Sequence, residues 1–474
     1  MFEQLSRTIS QVATRPGCKI LLGYSGGVDS EVLASLLAQF AQQHPEFDYL
    51  LVYVHHGLSR NADDWAEHCR CSATRYGLPF SLQRVTVAKG ARLSIEAEAR
   101  RARYRAIAAL MSPGDLLLTA HHQDDQLETL LLALKRGQGP RGLSAMGRIQ
   151  AFDGDKLQLR PLLDVSRADI EAYAAARGMA HVEDESNADI SYDRNFLRHR
   201  IIPLLKSRWP QLGHTAGRSA ALCAQQQMAL DEVVAEKLAA VVCHGAWGVS
   251  LPLVALAQNQ PHWQNLLLRA FIEQQGLPLP SQLQLDEALK QLLQAKVDAK
   301  VAVRAGELLL RRYDGSVYAC SATSHNAPNN TLQAMQAYQA SRILYPPSSE
   351  NEDMASRVVA LPTHFNCGEF QVDLTLTSTG ARVRQPQTGE VWLWGTMADF
   401  AINGSYRCHP HTRHQGRELK KCWQEFAVPT WLRPQLPLLC IDGRVAAVPG
   451  VWVEQAFMAD GDESGIAFAL NLQQ

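Results

Sequence analysis

From residue 19 to residue 135 the chain alternates a short apolar run with a longer helix-period segment four times over. No other feature restricts its fold as strongly. The strand-like runs fall at 19–24, 49–54, 81–87, which alternates polar and apolar, and 115–119, and the helical segments at 30–40, 61–76, 94–111 and 126–135. Repeated strand–helix alternation predicts an α/β domain, a parallel sheet with helices on both faces. Ligands of such sheets bind beyond the carboxyl ends of the strands. The loops after the first, second and fourth runs are therefore where chemistry is expected.

Past Arg160-Pro161-Leu162-Leu163 the pattern turns helical, and Ser166-Arg167-Ala168-Asp169 has capping-box spacing. Residues 203–296 are rich in Leu, Ala and Gln at helical spacing, which predicts a small helical domain. It is expected to end in short strands, with Asp314-Gly315 as a hairpin turn. Residues 321–356 read as a linker with one helix inside. The remainder carries short β-like runs, such as 370–376 and 444–448, and is expected to form a mixed α+β domain. The expected division is 1–215, 216–350 and 351–474, which suits a chain of 474 residues.

Charge excludes a global pull toward nucleic acid, because 46 basic residues face 47 acidic ones. Any such partner has to be met by local patches. Arg194, Arg198, His199, Arg200, Lys206 and Arg208 form one cluster, and Arg407, His409, His411, Arg413, His414, Arg417, Lys420 and Lys421 form a second. A solvated face is the ordinary reading of such runs, but few acids interrupt the second, which favours RNA. The first residues are polar and no long apolar run occurs, so a cytoplasmic protein without a membrane partner is expected. Ten cysteines without a C-x-x-C lend no support to a zinc ribbon, a reactive dithiol or an iron–sulfur site.

The first strand runs into Ser25-Gly26-Gly27-Val28-Asp29-Ser30 and then a helix. Unpaired N–H groups at a helix start, at the positive end of its dipole, suit phosphate. Glycines let the backbone approach closely, two serines add hydroxyls, and Asp29 is placed to hold a divalent metal on the phosphates. Neither G-K-[ST] nor G-x-G-x-x-G is present. A helix cap and a plain turn would use the same residues.

This hexapeptide resembles the SGGxDS loop of the ATP-pyrophosphatase (PP-loop) enzymes. The resemblance implies adenylation: a substrate oxygen attacks the α-phosphate of ATP, pyrophosphate leaves, and a nucleophile displaces AMP. Four further stretches narrow it. They are Val54-His55-His56-Gly57-Leu58, Ala99-Arg100-Arg101-Ala102-Arg103-Tyr104, Ala120-His121-His122-Gln123-Asp124-Asp125-Gln126-Leu127-Glu128-Thr129, and Tyr192-Asp193-Arg194-Asn195. Together with Glu183 to Asn187, and with Arg417-Glu418-Leu419-Lys420-Lys421 near the C-terminus, they resemble the tRNA(Ile)-lysidine synthetases.

That family ligates lysine to C2 of the wobble cytidine in the CAU anticodon of an isoleucine tRNA, using ATP and Mg²⁺. The product reads AUA instead of AUG. The resemblance implies ATP contacts from Ser25 to Ser30, His55 and Ala120, with Mg²⁺ on Asp29. Asp125 and Glu128, three apart on a helix, are expected to clamp the lysine ammonium. Arg100 is expected beside phosphate or target base, and Arg103, Arg194, Arg413, Arg417, Lys420 and Lys421 on tRNA. The oligomeric state is left open, a homodimer included. A PP-loop tRNA thiolase, a non-catalytic nucleotide-gated RNA-binding protein, and a transition-metal site at His121 to Asp125 are the competing readings.

Overall fold

In the computed structural model, α1 (Phe2–Ser10) leads into β1 (Lys19–Gly23), where Ile20, Leu21 and Leu22 are shut off from solvent. The structure describes all residues except 14, 89–94, 297–298, 300, 323–363, 368–369, 388–389, 391 and 473–474. The alternation continues through α2 (Val28–Gln43), β2 (Asp48–His55), α3 (Ala62–Tyr76), β3 (Phe80–Arg84), α4 (Ile95–Ala108), β4 (Leu116–Leu118) and α5 (Gln123–Lys135). A short α6 (Pro140–Leu143) precedes a hairpin of β5 (Ile149–Phe152) and β6 (Lys156–Leu159), and α7 (Arg167–Ala176) follows.

The strands form one six-stranded sheet in the order β3-β2-β1-β4-β6-β5. Every pairing is parallel except that of β5 with β6. Leu21 of β1 lies beside Leu50 on one side and Leu117 on the other, so the sheet centre is an aliphatic row. The chain winds outward from β1 to β3, then crosses back to lay β4 on the other side of β1. That reversal opens a crevice between the loops after β1 and β4. Helix α2 starts from the loop after β1 and packs on the sheet, with Val32, Leu33, Leu36, Leu37 and Phe40 buried. Each such side chain contributes roughly 1.5–3 kcal/mol, so the helix that starts at the glycine turn is firmly seated.

The β5–β6 hairpin was not expected. Its strands are four residues each and its turn takes Asp153 and Gly154 to φ +45° and +73°.

After α7 come α8 (Asp193–Phe196), a π-helical turn (Leu197–Ile201), α9 (Ile202–Arg208) and α10 (Leu212–Ala239). The expected boundary at 215 falls inside α10, and the first compact unit runs from Met1 to Asp231.

The second unit, Glu232–Gln474, begins with more β-structure than helical spacing suggested. Five antiparallel strands (Cys243–Gly245, Gly248–Pro252, Ser316–Ser321, Leu308–Tyr313 and Ala302–Ala305 in spatial order) pack on helices Leu253–Ala257, Pro261–Gln274 and Gln282–Gln294. Asp314-Gly315 is the hairpin turn, at φ +45° and +69°. The expected linker helix lies outside the described residues. Farther on, two four-stranded antiparallel sheets and a two-stranded ribbon carry one seven-residue helix, Leu419–Glu425. Trp423 and Trp452 fill the core beside it. Among the described residues no helix is long and apolar enough to cross a membrane.

Candidate active site

β1 hands the chain to Tyr24, whose N–H bonds to Val52 O at 2.9 Å, and the glycine turn follows. Gly26 sits at φ +79°, and a Cβ there would lie 2.9 Å from both Cys69 Sγ and Val182 Cγ2. Conformation and space both demand glycine. Gly27 is the N-cap of α2 and supplies no side-chain cap. The first-turn N–H groups are thus left for a ligand. Ser30 braces the turn: its Oγ donates to Gly27 O at 2.9 Å, accepts from Ser25 N–H at 3.3 Å and lies 3.2 Å from Ser25 Oγ. Val28 is buried in the core behind it. One residue on, the fully buried Glu31 accepts from Tyr24 Oη (2.5 Å), His68 Nε2 (2.8 Å) and Tyr76 Oη (3.0 Å). Those bonds tie α2 to α3 beneath the turn.

Asp29 faces the loop after β4. Its Oδ1 is buried, has no hydrogen-bond partner among the described residues, and lies 3.7 Å from His122 Nε2. Its Oδ2 accepts from Arg167 Nη1 at 2.7 Å. Burial pushes the Asp29 carboxyl upward, while His122 and Arg167 pull it back. His122 caps α5: its Nδ1 accepts from Asp124 N–H, and its own N–H donates to Asp125 Oδ2 at 3.0 Å.

Asp125 and Glu128 share one face of α5, as their spacing requires. The structure adds two arginines. Glu128, fully buried, accepts from Arg194 Nε (2.7 Å), Arg198 Nε (2.7 Å) and Arg198 Nη2 (3.0 Å). Asp125 Oδ1 accepts from Arg198 Nη2 at 3.1 Å, with Arg194 at 3.5 Å. Burial favours the neutral form of Asp125, but His122 and Arg194 outweigh it and hold the carboxyl below the ordinary carboxylate range. Asp124 turns outward to Lys206 Nζ at 2.6 Å. The π-helical turn lies within this arginine segment, and such turns recur at functional sites.

Arg194, expected on tRNA, is therefore turned inward onto Glu128. In sequence, Arg198 stands in a basic cluster and Arg167 in a helix start. Both belong to the constellation. Their carboxylate partners lie 70 and 138 residues away in sequence, so no local spacing announces the pairs. Ser166 does cap α7, accepting from Asp169 N–H at 3.1 Å.

The remaining expected residues lie on α4 and at the ends of β2 and β4. His55 ends β2, buried, with Nε2 3.4 Å from Asp63. Arg103 Nε lies 3.2 Å from His56 Nε2, and burial with that guanidinium beside it brings the His56 imidazole down to about 4. Arg100 stacks over the Tyr104 ring at 4.9 Å. Ala120 packs against the core, and His121 Nδ1 lies 3.0 Å from Thr119 Oγ1. Burial pushes the His121 imidazole down to about 3. The two histidines of the β4 loop thus serve different partners. Among the described residues, no three His, Cys, Asp or Glu side chains converge as a metal-ligand set.

In the second unit, Arg413 and Arg417 are not open cations. Both bind Glu425, at 2.6 and 3.0 Å. The sequence reading missed this acid, twelve residues downstream of Arg413 and eight of Arg417. Lys420 and Lys421 are exposed, Lys421 standing 3.6 Å from Glu418.

Three stretches of the chain match models of known protein families. Residues 1–205 match a PP-loop domain, 251–318 a TilS substrate binding domain and 400–470 a TilS substrate C-terminal domain. The chain is 48% identical over 469 residues to the tRNA(Ile)-lysidine synthase of Shewanella woodyi, covering 98% of this chain and 96% of that one. It is 46% identical to that of Shewanella oneidensis (98% and 97% covered) and 37% identical to that of Shigella flexneri (95% and 95%). With likeness of that extent running through all three matched regions, and with the glycine turn set against the acidic loop of β4, the chain belongs to the tRNA(Ile)-lysidine synthase family.

Proposed function

We propose that the protein joins lysine to C2 of the wobble cytidine in a CAU-anticodon isoleucine tRNA at the expense of ATP. The observation that carries this reading is the meeting of two loops: Asp29 of the phosphate turn lies 3.7 Å from His122, which caps the helix bearing Asp125 and Glu128. Activation and amine capture then occur in one crevice.

The α2 N-terminus receives the ATP phosphates. Mg²⁺ would be held by Asp29 Oδ1, whose burial without a partner among the described residues suits a hard cation. When bound, the ion would supply charge neutralisation on the phosphates. The cytidine carbonyl oxygen attacks the α-phosphorus, pyrophosphate leaves, and the lysine amine then displaces AMP at C2. An unperturbed lysine amine, with pKa near 10.4, is free only about once in 10³ molecules at pH 7. Asp125 receives the ammonium directly. Glu128, sealed from solvent, acts through Arg194 and Arg198. Two guanidinium groups beside the ammonium favour loss of its proton. Arg100 and Arg103 serve the target nucleotide.

The matched regions of the second unit hold the tRNA, with Lys420 and Lys421 as exposed cations of the C-terminal patch. A reduced cytoplasmic setting fits a chain that uses ATP and tRNA.

The test is incubation of folded protein with unmodified CAU-anticodon isoleucine tRNA, ATP, Mg²⁺ and labelled lysine. Label should enter the tRNA only when ATP is present. Sulfur incorporation, or tRNA binding without turnover, would replace this reading with a thiolase or a binding protein.

A further inference from the structure

The Arg167 side chain makes two ion pairs. It is the first residue of α7, and its fork is divided: Nη1 donates to Asp29 Oδ2 at 2.7 Å and Nε donates to Glu171 Oε1 at 2.7 Å. Nη2 has no hydrogen-bond partner among the described residues, and the side chain is 38% exposed. Two of the fork's three nitrogens are thus fixed by two different carboxylates. The third keeps both of its N–H groups beside the phosphate turn.

That position answers an electrostatic problem. Asp29 is the second residue of α2, at the same helix end whose N–H groups suit phosphate. A carboxylate there repels a polyphosphate unless a cation lies between them. Arg167 is a cation already bound to that carboxylate, and its planar fork can hold a carboxylate and a phosphate together.

We infer that Arg167 binds the β- and γ-phosphoryl oxygens of ATP through Nη2 and carries the negative charge of the departing pyrophosphate. This rests on the ATP reading above. In the step concerned, a lone pair of the substrate oxygen forms the new O–Pα bond. The bond from Pα to the bridging oxygen breaks, and its electron pair leaves with pyrophosphate. No proton passes through Arg167, whose guanidinium stays charged throughout. Nη1 holds Asp29 still during the step. Arg167 is then a phosphate-contacting residue rather than a fold element.

Equilibrium binding of inorganic pyrophosphate and of AMP, with Mg²⁺ present, separates this from a structural role. Arg167→Ala should weaken pyrophosphate about ten- to a hundredfold, the scale of one lost charge-assisted contact, and leave AMP binding unchanged. Arg167→Lys, which keeps the charge but loses the fork, should fall between. In steady state, Arg167→Ala should raise KM for ATP and lower kcat while leaving KM for lysine alone. Glu171→Gln should change neither ligand. Equal loss of pyrophosphate and AMP would overturn the inference and assign Arg167 to holding the turn. Unchanged pyrophosphate binding would overturn it outright. If the wild-type protein binds neither ATP nor pyrophosphate, the ATP reading itself fails, and the inference falls with it.

Discussion

Replacing Glu128 by Gln tests whether the buried carboxylate is a strut or a ligand. The substitution keeps the shape of the side chain and removes its charge. Three guanidinium hydrogen bonds, at 2.7, 2.7 and 3.0 Å, end on Glu128. An amide can accept at one oxygen only, and its NH₂ would face a guanidinium N–H. Charge-assisted bonds contribute about 1.5–3 kcal/mol each, against about 0.5–1.5 for neutral ones. Breaking a buried pair costs roughly 3–5 kcal/mol when the stranded charge stays buried. Here the arginine side chains are 27% and 35% exposed, and Asp125 still pairs with Arg198, so the lower end applies: about 3 kcal/mol.

Because the chain has two compact units, one global melting curve would blur that loss. Hydrogen exchange read by peptide isolates it. Glu128→Gln should speed exchange in α5 and in α8 to α9 by about a hundredfold, since each 1.4 kcal/mol is tenfold, and leave peptides of the second unit unaltered. KM for lysine should rise with it. Unchanged protection together with lost lysine turnover would refute the strut and make Glu128 a direct lysine ligand.

Asp125→Asn should lose lysine-dependent turnover while tRNA binding persists; surviving turnover rules out Asp125 as the ammonium acceptor. Gly26→Ala should destabilise the turn by roughly 2–4 kcal/mol, from left-handed strain plus the contacts with Cys69 and Val182, and abolish ATP binding; normal affinity would show that the turn tolerates a side chain. Burial keeps His56 and His121 neutral in the fold, titrating near 4 and 3. Unfolding therefore takes up their protons below about pH 6.5, so the stability they contribute is complete above 6.5 and declines as pH falls toward those values. Their imidazole carbon resonances should not move between pH 7.5 and 5.5, and a midpoint near 6.5 for either contradicts its burial. Lys420→Ala with Lys421→Ala should lower the slope of log affinity for tRNA against log salt by about 2; an unchanged slope removes these lysines from the contact.

The parallel sheet was legible because β1, β2 and β4 carry continuous aliphatic runs separated by helix-period segments, a local signal. The turn at residues 25–30 was legible for the same reason. The β5–β6 hairpin escaped because four-residue strands carry little pattern, although Asp153-Gly154 marked its turn. Pairings across long separations escaped altogether. Arg194 and Arg198 look like RNA contacts in a basic run, yet the fold turns them onto Glu128. Arg413 and Arg417 look unopposed until a strand and a helix bring Glu425 between them. A charge cluster in sequence records which residues are basic, whereas free charge depends on the acids that the fold delivers.

The claim that activation and lysine capture share one crevice is tested most directly by following the α-phosphate. With α-labelled ATP, Mg²⁺ and CAU-anticodon isoleucine tRNA, and without lysine, label should enter the tRNA as an adenylate, and unlabelled lysine should then release it as AMP. Label found on lysine instead, or tRNA-bound label that lysine does not release, would contradict it.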